Sequence, residues 1–183
     1  MPTDSPLAPE IAALRDGETV TLRPIRPDDI SRLQAFHTRL SSDTIYLRYL
    51  GQHHVLTDAE AQRLTGVDYQ ARMALVATRE HAGDDSILGV ARYDVLDRKR
   101  SDRAEAAIVV EDRYQGKGLG VLLVKHLVAY ARAHGVHALV AEISVENARM
   151  MDFIRRSGLS VEKTLKSGVW EIEIKLNEDV VPT

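Results

Sequence analysis

Ala107-Ile108-Val109-Val110-Glu111-Asp112-Arg113-Tyr114-Gln115-Gly116-Lys117-Gly118-Leu119-Gly120 passes from an apolar, β-branched run through a glycine-rich turn into the start of a long amphipathic helix. Glycines let backbone N–H groups face a phosphate with no Cβ in the way. The helix that follows adds partial positive charge at its N-terminus, and Lys117 offers a full one. The segment therefore reads as a pyrophosphate cradle, although a tight turn with no ligand would carry the same glycines. Other nucleotide motifs fit poorly. A dinucleotide-binding fingerprint needs a third glycine where Val121 stands, and the P-loop needs Ser or Thr where Gly118 stands.

Working outward, Ala104–Val110 reads as a central strand, and the helix after the turn runs to about His134, where Gly135 stops it. Upstream, Thr19–Arg23 and Met73–Thr78 read as strands, and Ile87–Val95 follows a turn at Gly83-Asp84-Asp85. A helix capped by Asp28 or Asp29 carries Ile30, Leu33, Phe36 and Leu40 on one face, with His37 packed beside it. Thr44–Leu50 reads as a second helical segment, and Thr57-Asp58-Ala59-Glu60 is a capping box. Arg98–Asp102 reads as a charged hairpin loop. Downstream come a strand (Ala138–Val145), a helix (Asn147–Arg156) and a hairpin around Ser167-Gly168. The order implies one mixed α/β domain over residues 18–177. Residues 1–17 read as a flexible leader, with at most a turn of helix at Ile11–Leu14, and 178–183 as a tail.

Composition narrows the function classes. The 183 residues are 44% hydrophobic and 28% charged, as in ordinary globular domains. A net charge of −3 gives no general attraction to nucleic acid. No apolar run is long enough for a membrane span, and the N-terminus does not read as a secretory signal, so a cytoplasmic setting is expected. The absence of cysteine excludes an acyl-cysteine intermediate. Adjacent His53 and His54 read as exposed loop residues, and no metal site is expected.

Gln115-x-x-Gly118-x-Gly120 resembles the acyl-CoA signature of the GNAT superfamily, (Arg/Gln)-x-x-Gly-x-(Gly/Ala), and the resemblance extends from about Thr19 to Leu176. It implies a GNAT fold: a mostly antiparallel sheet of six to seven strands with flanking helices, splayed between the fourth strand (Ala104–Val110) and the fifth (Ala138–Val145). It implies acetyl-CoA as cosubstrate, with pantetheine in the gap against Ile108, Val109 and Val110. The pyrophosphate would lie on Gln115, Gly116, Lys117, Gly118, Leu119 and Gly120, and Asn147 would touch the pantetheine arm. As an N-cap, Asn147 has an equal second reading.

Amide formation needs a neutral amine, so a proton must be removed, and the oxyanion formed on attack needs a backbone N–H. Glu105 is the best candidate base. It stands in an otherwise apolar strand, where partial burial would make it a stronger base; pairing with Arg92 or Arg103 is the structural alternative. Glu111 and Asp112 are second choices. Ala104-Glu105-Ala106-Ala107, ten residues before Gln115 at its Glu, resembles bacterial Pat-type protein lysine acetyltransferases, as do Leu22–Asp29 and Ser41–Tyr49. That resemblance implies Glu105 as general base and a protein lysine as acceptor, such as the catalytic lysine of an acyl-CoA synthetase. The companion domains usual in that group have no counterpart here, which leaves an excised catalytic domain and a short member both open. One position departs from the superfamily: the Tyr often found seven residues after the Asn, as acid for the thiolate, is Ile154. Tyr130 reads as packing. A small-amine acetyltransferase and a non-catalytic acyl-CoA sensor are the competing readings, with the acceptor surface expected near Ser41–Leu56 and Trp170.

Overall fold

The computed structural model describes residues 7–81, 84–97 and 102–176, with backbone alone at 81 and 84. Among these residues eight strands form one sheet: β1 (Glu10–Ala13), β2 (Thr19–Pro24), β3 (Arg72–His81), β4 (Asp84–Val95), β5 (Arg103–Val110), β6 (Ala138–Ser144), β7 (Ser160–Lys166) and β8 (Val169–Lys175). The spatial order is β1-β2-β3-β4-β5-β6-β8-β7, antiparallel except between β5 and β6. The helices are α1 (Ile30–Thr38), α2 (Ser42–Tyr49), α3 (Asp58–Thr65), α4 (Leu119–Ala133) and α5 (Ala148–Arg156).

The sheet has one strand more than six to seven. The addition is β1, in the segment read as leader: Ile11 and Ala12 pair with Thr21 and Val20 instead of forming a turn of helix. Leu14 is buried at its end and closes the link to β2 through its N–H on Glu18 C=O. Packing of Leu14 on the core outweighs the weak local preference of this Pro- and Ala-rich segment. Asp84 and Asp85 already belong to β4. The rest of that turn, residues 98–101 of the charged hairpin loop and the tail lie outside the described residues.

Two apolar cores result. The larger lies on both faces of β2–β5. On one face α4 seats Leu119, Leu123 and Leu127, all nearly inaccessible. The approach is close at Gly89, where a Cβ would stand 3.0 Å from Leu123 Cδ1. On the other face lie α1–α3, contributing Leu33, Phe36 and Ala61. The smaller core joins Ile143 of β6, Ile154 of α5 and Ile172 of β8. Buried Asp29 anchors the start of α1: its carboxylate accepts from Arg23 at 2.7 and 2.8 Å and from the Arg26 N–H at 2.8 Å.

Between the two halves the sheet comes apart. Parallel pairing of β5 with β6 covers only Arg103↔Ala138, Ala104↔Leu139 and Glu105↔Val140. Beyond Glu105 the strands diverge and leave a gap.

Candidate active site

The gap is lined by one edge of β5. Glu111 N–H bonds to Leu88 C=O at 2.9 Å, and Leu96 N–H to Arg103 C=O at 3.0 Å. Because a strand alternates the direction of its polar groups, odd-numbered residues from Arg103 to Glu111 turn theirs to β4. Ala106, Ile108 and Val110 turn theirs to the gap. Val109 differs from the expectation. Its N–H and C=O belong to the ladder with Val90, so only its side chain is presented, on the α1–α3 face.

After β5 the chain passes through a 3₁₀ turn (Asp112–Tyr114) into the glycine turn. Gly116 (φ 78°) and Gly118 (φ 92°) are left-handed, and left-handed residues are used in the backbone curls that make anion-binding concavities. The first turn of α4 follows, where Leu122 N–H to Gly118 C=O is an early helical bond; the amides of residues 119–121 precede it as helix N-terminal donors. Lys117 does not face this cradle alone. Its Nζ lies 2.7 Å from Asp16 and 3.7 Å from Glu18, over the Tyr114 ring. The hydrogen bond to Asp16 raises the Lys117 pKa above its ordinary value. Arg15 lies against the turn instead, and a Cβ on Gly118 would stand 3.3 Å from its Cγ.

Gln115 ties the turn to both walls. Its Nε2 donates to Val110 C=O at 2.9 Å and Thr44 Oγ1 at 3.2 Å, and its Oε1 accepts from Arg149 of α5. Asn147 caps α5, accepting from Met150 N–H at 3.0 Å.

Glu105 stands at the last β5–β6 pair, on the face it shares with Ala107 and Val109. It is exposed, not partly buried, whereas Ala106 and Ala107 after it are half-buried. It does not pair with Arg92 or Arg103, which bind Leu64 C=O and Glu173. The second-choice carboxylates are engaged. Glu111 is buried between Arg39 and Arg113. Asp112 accepts from the Ser41 N–H, the Ser41 hydroxyl and the Thr44 hydroxyl; burial pushes its pKa up, but these bonds outweigh it and hold the group low.

Beside Ala107 and Val109, under α1–α3, lies a cavity of about 30 Å³. His37, Arg48, Tyr49 and Arg92 supply its polar lining. Arg92 is 7% exposed; its Nη2 donates to Leu64 C=O at 3.0 Å, while its Nε makes no hydrogen bond and stays 3.7 Å from Asp94. Desolvation, with repulsion from Arg48, Arg72 and Arg63 working against the pull of Asp94, brings it down to about 10. His53 is not an exposed loop residue. It stacks on Tyr49 at 4.2 Å and meets His37 at 3.2 Å. Sequence reading missed this cluster; the only sign of it is a polar His beside the apolar face of α1.

Trp170 does not join this surface. With Val145, Met151 and Ile154 it lines an open depression of about 670 Å³ under α5. Ile154 is buried there, and Tyr130 is buried against α4's own core. Among the described residues no group of three or more His, Asp or Glu is placed to hold a metal ion, and no helix is long and apolar enough to cross a membrane.

Comparison with known proteins fits this geometry. The model of the acetyltransferase (GNAT) family matches residues 42–159. An acetyltransferase of Pseudomonas aeruginosa is 34% identical over 142 residues, covering 78% of this chain and 75% of its own length. The acetyltransferase Pat of Mycolicibacterium smegmatis is 31% identical over 152 residues; the match spans 83% of this chain but 44% of that protein. The crystal structure of the GNAT domain of S. lividans PAT superposes with a TM-score of 0.82 at 29% identity, covering 91% of this chain and 96% of that one.

Proposed function

This chain belongs to the GNAT acetyltransferase family, and from that premise we propose that it carries the acetyl group of acetyl-CoA to the side-chain amine of a protein lysine. The enzyme is an acetyl-CoA-dependent N-acetyltransferase. The lysine acceptor, with the catalytic lysine of an acyl-CoA synthetase as the case in view and the cytoplasm as its setting, is supported by the likeness to Pat proteins.

The residues fit the cosubstrate. Pantetheine pairs with the gap-facing groups of Ile108 and Val110, and Val109 bounds the acyl end with its side chain. The amides from Gln115 to Gly120 hold the pyrophosphate, with Lys117 kept in place by Asp16. The Gln115–Arg149 bridge spans the gap and parts or shifts as the pantetheine arm passes; Asn147 keeps its capping bond.

The observation that carries this reading is Glu105, free of any described ion pair, at the throat of the splay beside Ala107. It takes a proton from the incoming ammonium, leaving a neutral amine next to the thioester. Positioning against the strand supplies much of the remaining acceleration. CoA thiolate is a good enough leaving group to depart without a side-chain acid, in keeping with Ile154. Glu105→Gln keeps the shape and removes the basicity. It should leave acetyl-CoA binding intact and lower turnover by about 10²–10⁴, with partial recovery at high pH where the amine is neutral in solution. Near-normal turnover at neutral pH would make Glu105 structural.

One observation favours a second acceptor, a small amine bearing a carboxylate. Arg92 has an unsatisfied buried Nε, and Arg48 makes no hydrogen bond to any described residue. A panel of an acyl-CoA synthetase, free amino acids and simple amines decides. Transfer to the synthetase lysine supports the first reading, and transfer to free amino acids but not to their amides supports the second.

A further inference from the structure

The cavity beside β5 ends in a chain of hydrogen bonds to which the steps above give no task. His37 is 3% exposed and lines that cavity with Ala107 and Val109. Its Nε2 lies 3.2 Å from His53 Nδ1, and His53 Nε2 lies 3.1 Å from Glu60 Oε1. Glu60 is firmly ionised: the Thr57 backbone and hydroxyl bonds, then His53, pull it down to about 2.

The proton positions follow from this order. A carboxylate only accepts, so His53 Nε2 carries the hydrogen. With its single hydrogen on Nε2, His53 accepts at Nδ1, and His37 Nε2–H is then the donor. One lone pair is left over, on His37 Nδ1, and that atom is buried with no hydrogen-bond partner. Burial first, and His53 second, hold the His37 pKa below its ordinary value, which keeps the ring neutral near pH 7.

An ammonium acceptor sheds two protons on its way to an amide. The first leaves before nitrogen can attack. The second leaves after the N–C bond has formed and the C–S bond breaks, its electron pair going with sulfur as thiolate. Glu105, exposed at the outer end of the strand, takes the first. We infer that His37 Nδ1 takes the second, from an acceptor seated in the cavity that His37 lines. The charge formed on His37 is stabilised through His53 by the Glu60 carboxylate, the part a carboxylate plays behind a catalytic imidazole elsewhere. Arg48 and Arg92 across the cavity, and the Tyr49 ring 5.9 Å away, offer the cation no anchor of their own. The proton therefore does not stay; it passes to solvent when the amide leaves. This rests on the acetyl-transfer reading above, and not on which amine is the acceptor.

Two measurements test it. In the free protein, ¹⁵N spectra of the histidine rings should show His37 and His53 both protonated at Nε2 alone. A proton on His37 Nδ1 at neutral pH overturns the inference. In steady-state assays, His37→Gln should lower kcat by about 10² and leave acetyl-CoA affinity unchanged by calorimetry. His53→Phe keeps the stack on Tyr49 and cuts the link to Glu60, and should cost about tenfold. The part of the wild-type acid limb that falls as pH drops through the lowered His37 value should be missing in His37→Gln; a packing role would change thermal stability and leave that part in place. If His37→Gln fails to fold, His53→Phe decides. Wild-type transfer with both variants unchanged overturns this inference alone. A wild type that acetylates no amine in the panel removes the acetyl-transfer reading and this step with it.

Discussion

Gly118 and Gly120 sit two residues apart and make different demands. Gly118 has a φ of 92° and lies against Arg15, whereas a Cβ on Gly120 would meet Ile108 Cδ1 at an ordinary 3.6 Å. Gly118→Asp therefore brings strain and a negative charge into the cradle, and should abolish acetyl-CoA binding in calorimetry while circular dichroism shows the fold retained. Gly120→Ala should bind nearly as wild type. The glycine turn is legible in sequence because its chemistry is local: the residues that shape it are neighbours in the chain. Lys117 shows the limit of such reading, since its partners Asp16 and Glu18 come from the other end of the chain. The same holds for Glu105, whose exposure is set by the tertiary fold and not by its strand neighbours, and for His37, whose partners arrive from the loop after α2 and from α3. Ile154 illustrates a residue legible by what it is not. Buried against Ile143 and Ile172, it has no polar atom for catalysis. Ile154→Ala should cost about 2–4 kcal/mol of stability by chemical denaturation and leave turnover per folded molecule within about twofold.

Among the elements, those with strong local signals sit where the sequence places them. The capping box at Thr57 and Glu60 closes as read, with Thr57 N–H on Glu60 Oε2 at 2.9 Å. The left-handed Gly135 ends α4, and Asn147 starts α5. β1 is the element that pattern alone does not reveal, because four residues carry too little period-2 signal and its stability comes from β2 and from Leu14. The start of α1 holds a stronger device. Asp29 is fully buried, and although burial pushes its pKa up, the Arg23 hydrogen bonds outweigh that and hold it below the usual carboxylate range. A carboxylate whose folded-state pKa is depressed contributes stability above its unfolded value, about 4. That contribution is lost as pH falls through the lowered folded value. Asp29→Asn leaves Arg23 buried with its counter-charge gone, and should lose about 3–5 kcal/mol at pH 7. The difference from wild type should shrink as the medium is acidified below pH 4 in urea titrations.

At the scale of the molecule, the sheet is two units joined by three residue pairs, and our proposal puts acetyl transfer at the seam between them. The larger unit carries the glycine turn and the cavity beside β5; the smaller carries α5 and faces the gap. A mixed α/β order of elements is enough to read this division, since the only parallel neighbours among the described residues, β5 and β6, are separated in sequence by α4. The strand count is less legible, because the outermost members owe their pairing to the rest of the sheet. One of those members, β7, is exposed along almost all its length. Its outer side has no strand partner among the described residues, and an unpaired edge is one to which a second molecule of the enzyme could add a strand. Lys163, between Val161 and Leu165 and resting over Trp170, puts a charge in the middle of that row, and a charged side chain on an edge strand opposes edge-to-edge pairing. Lys163→Val would make the strip continuously apolar. It should leave the secondary structure unchanged by circular dichroism and make the sedimentation coefficient rise more steeply with protein concentration than that of the wild type.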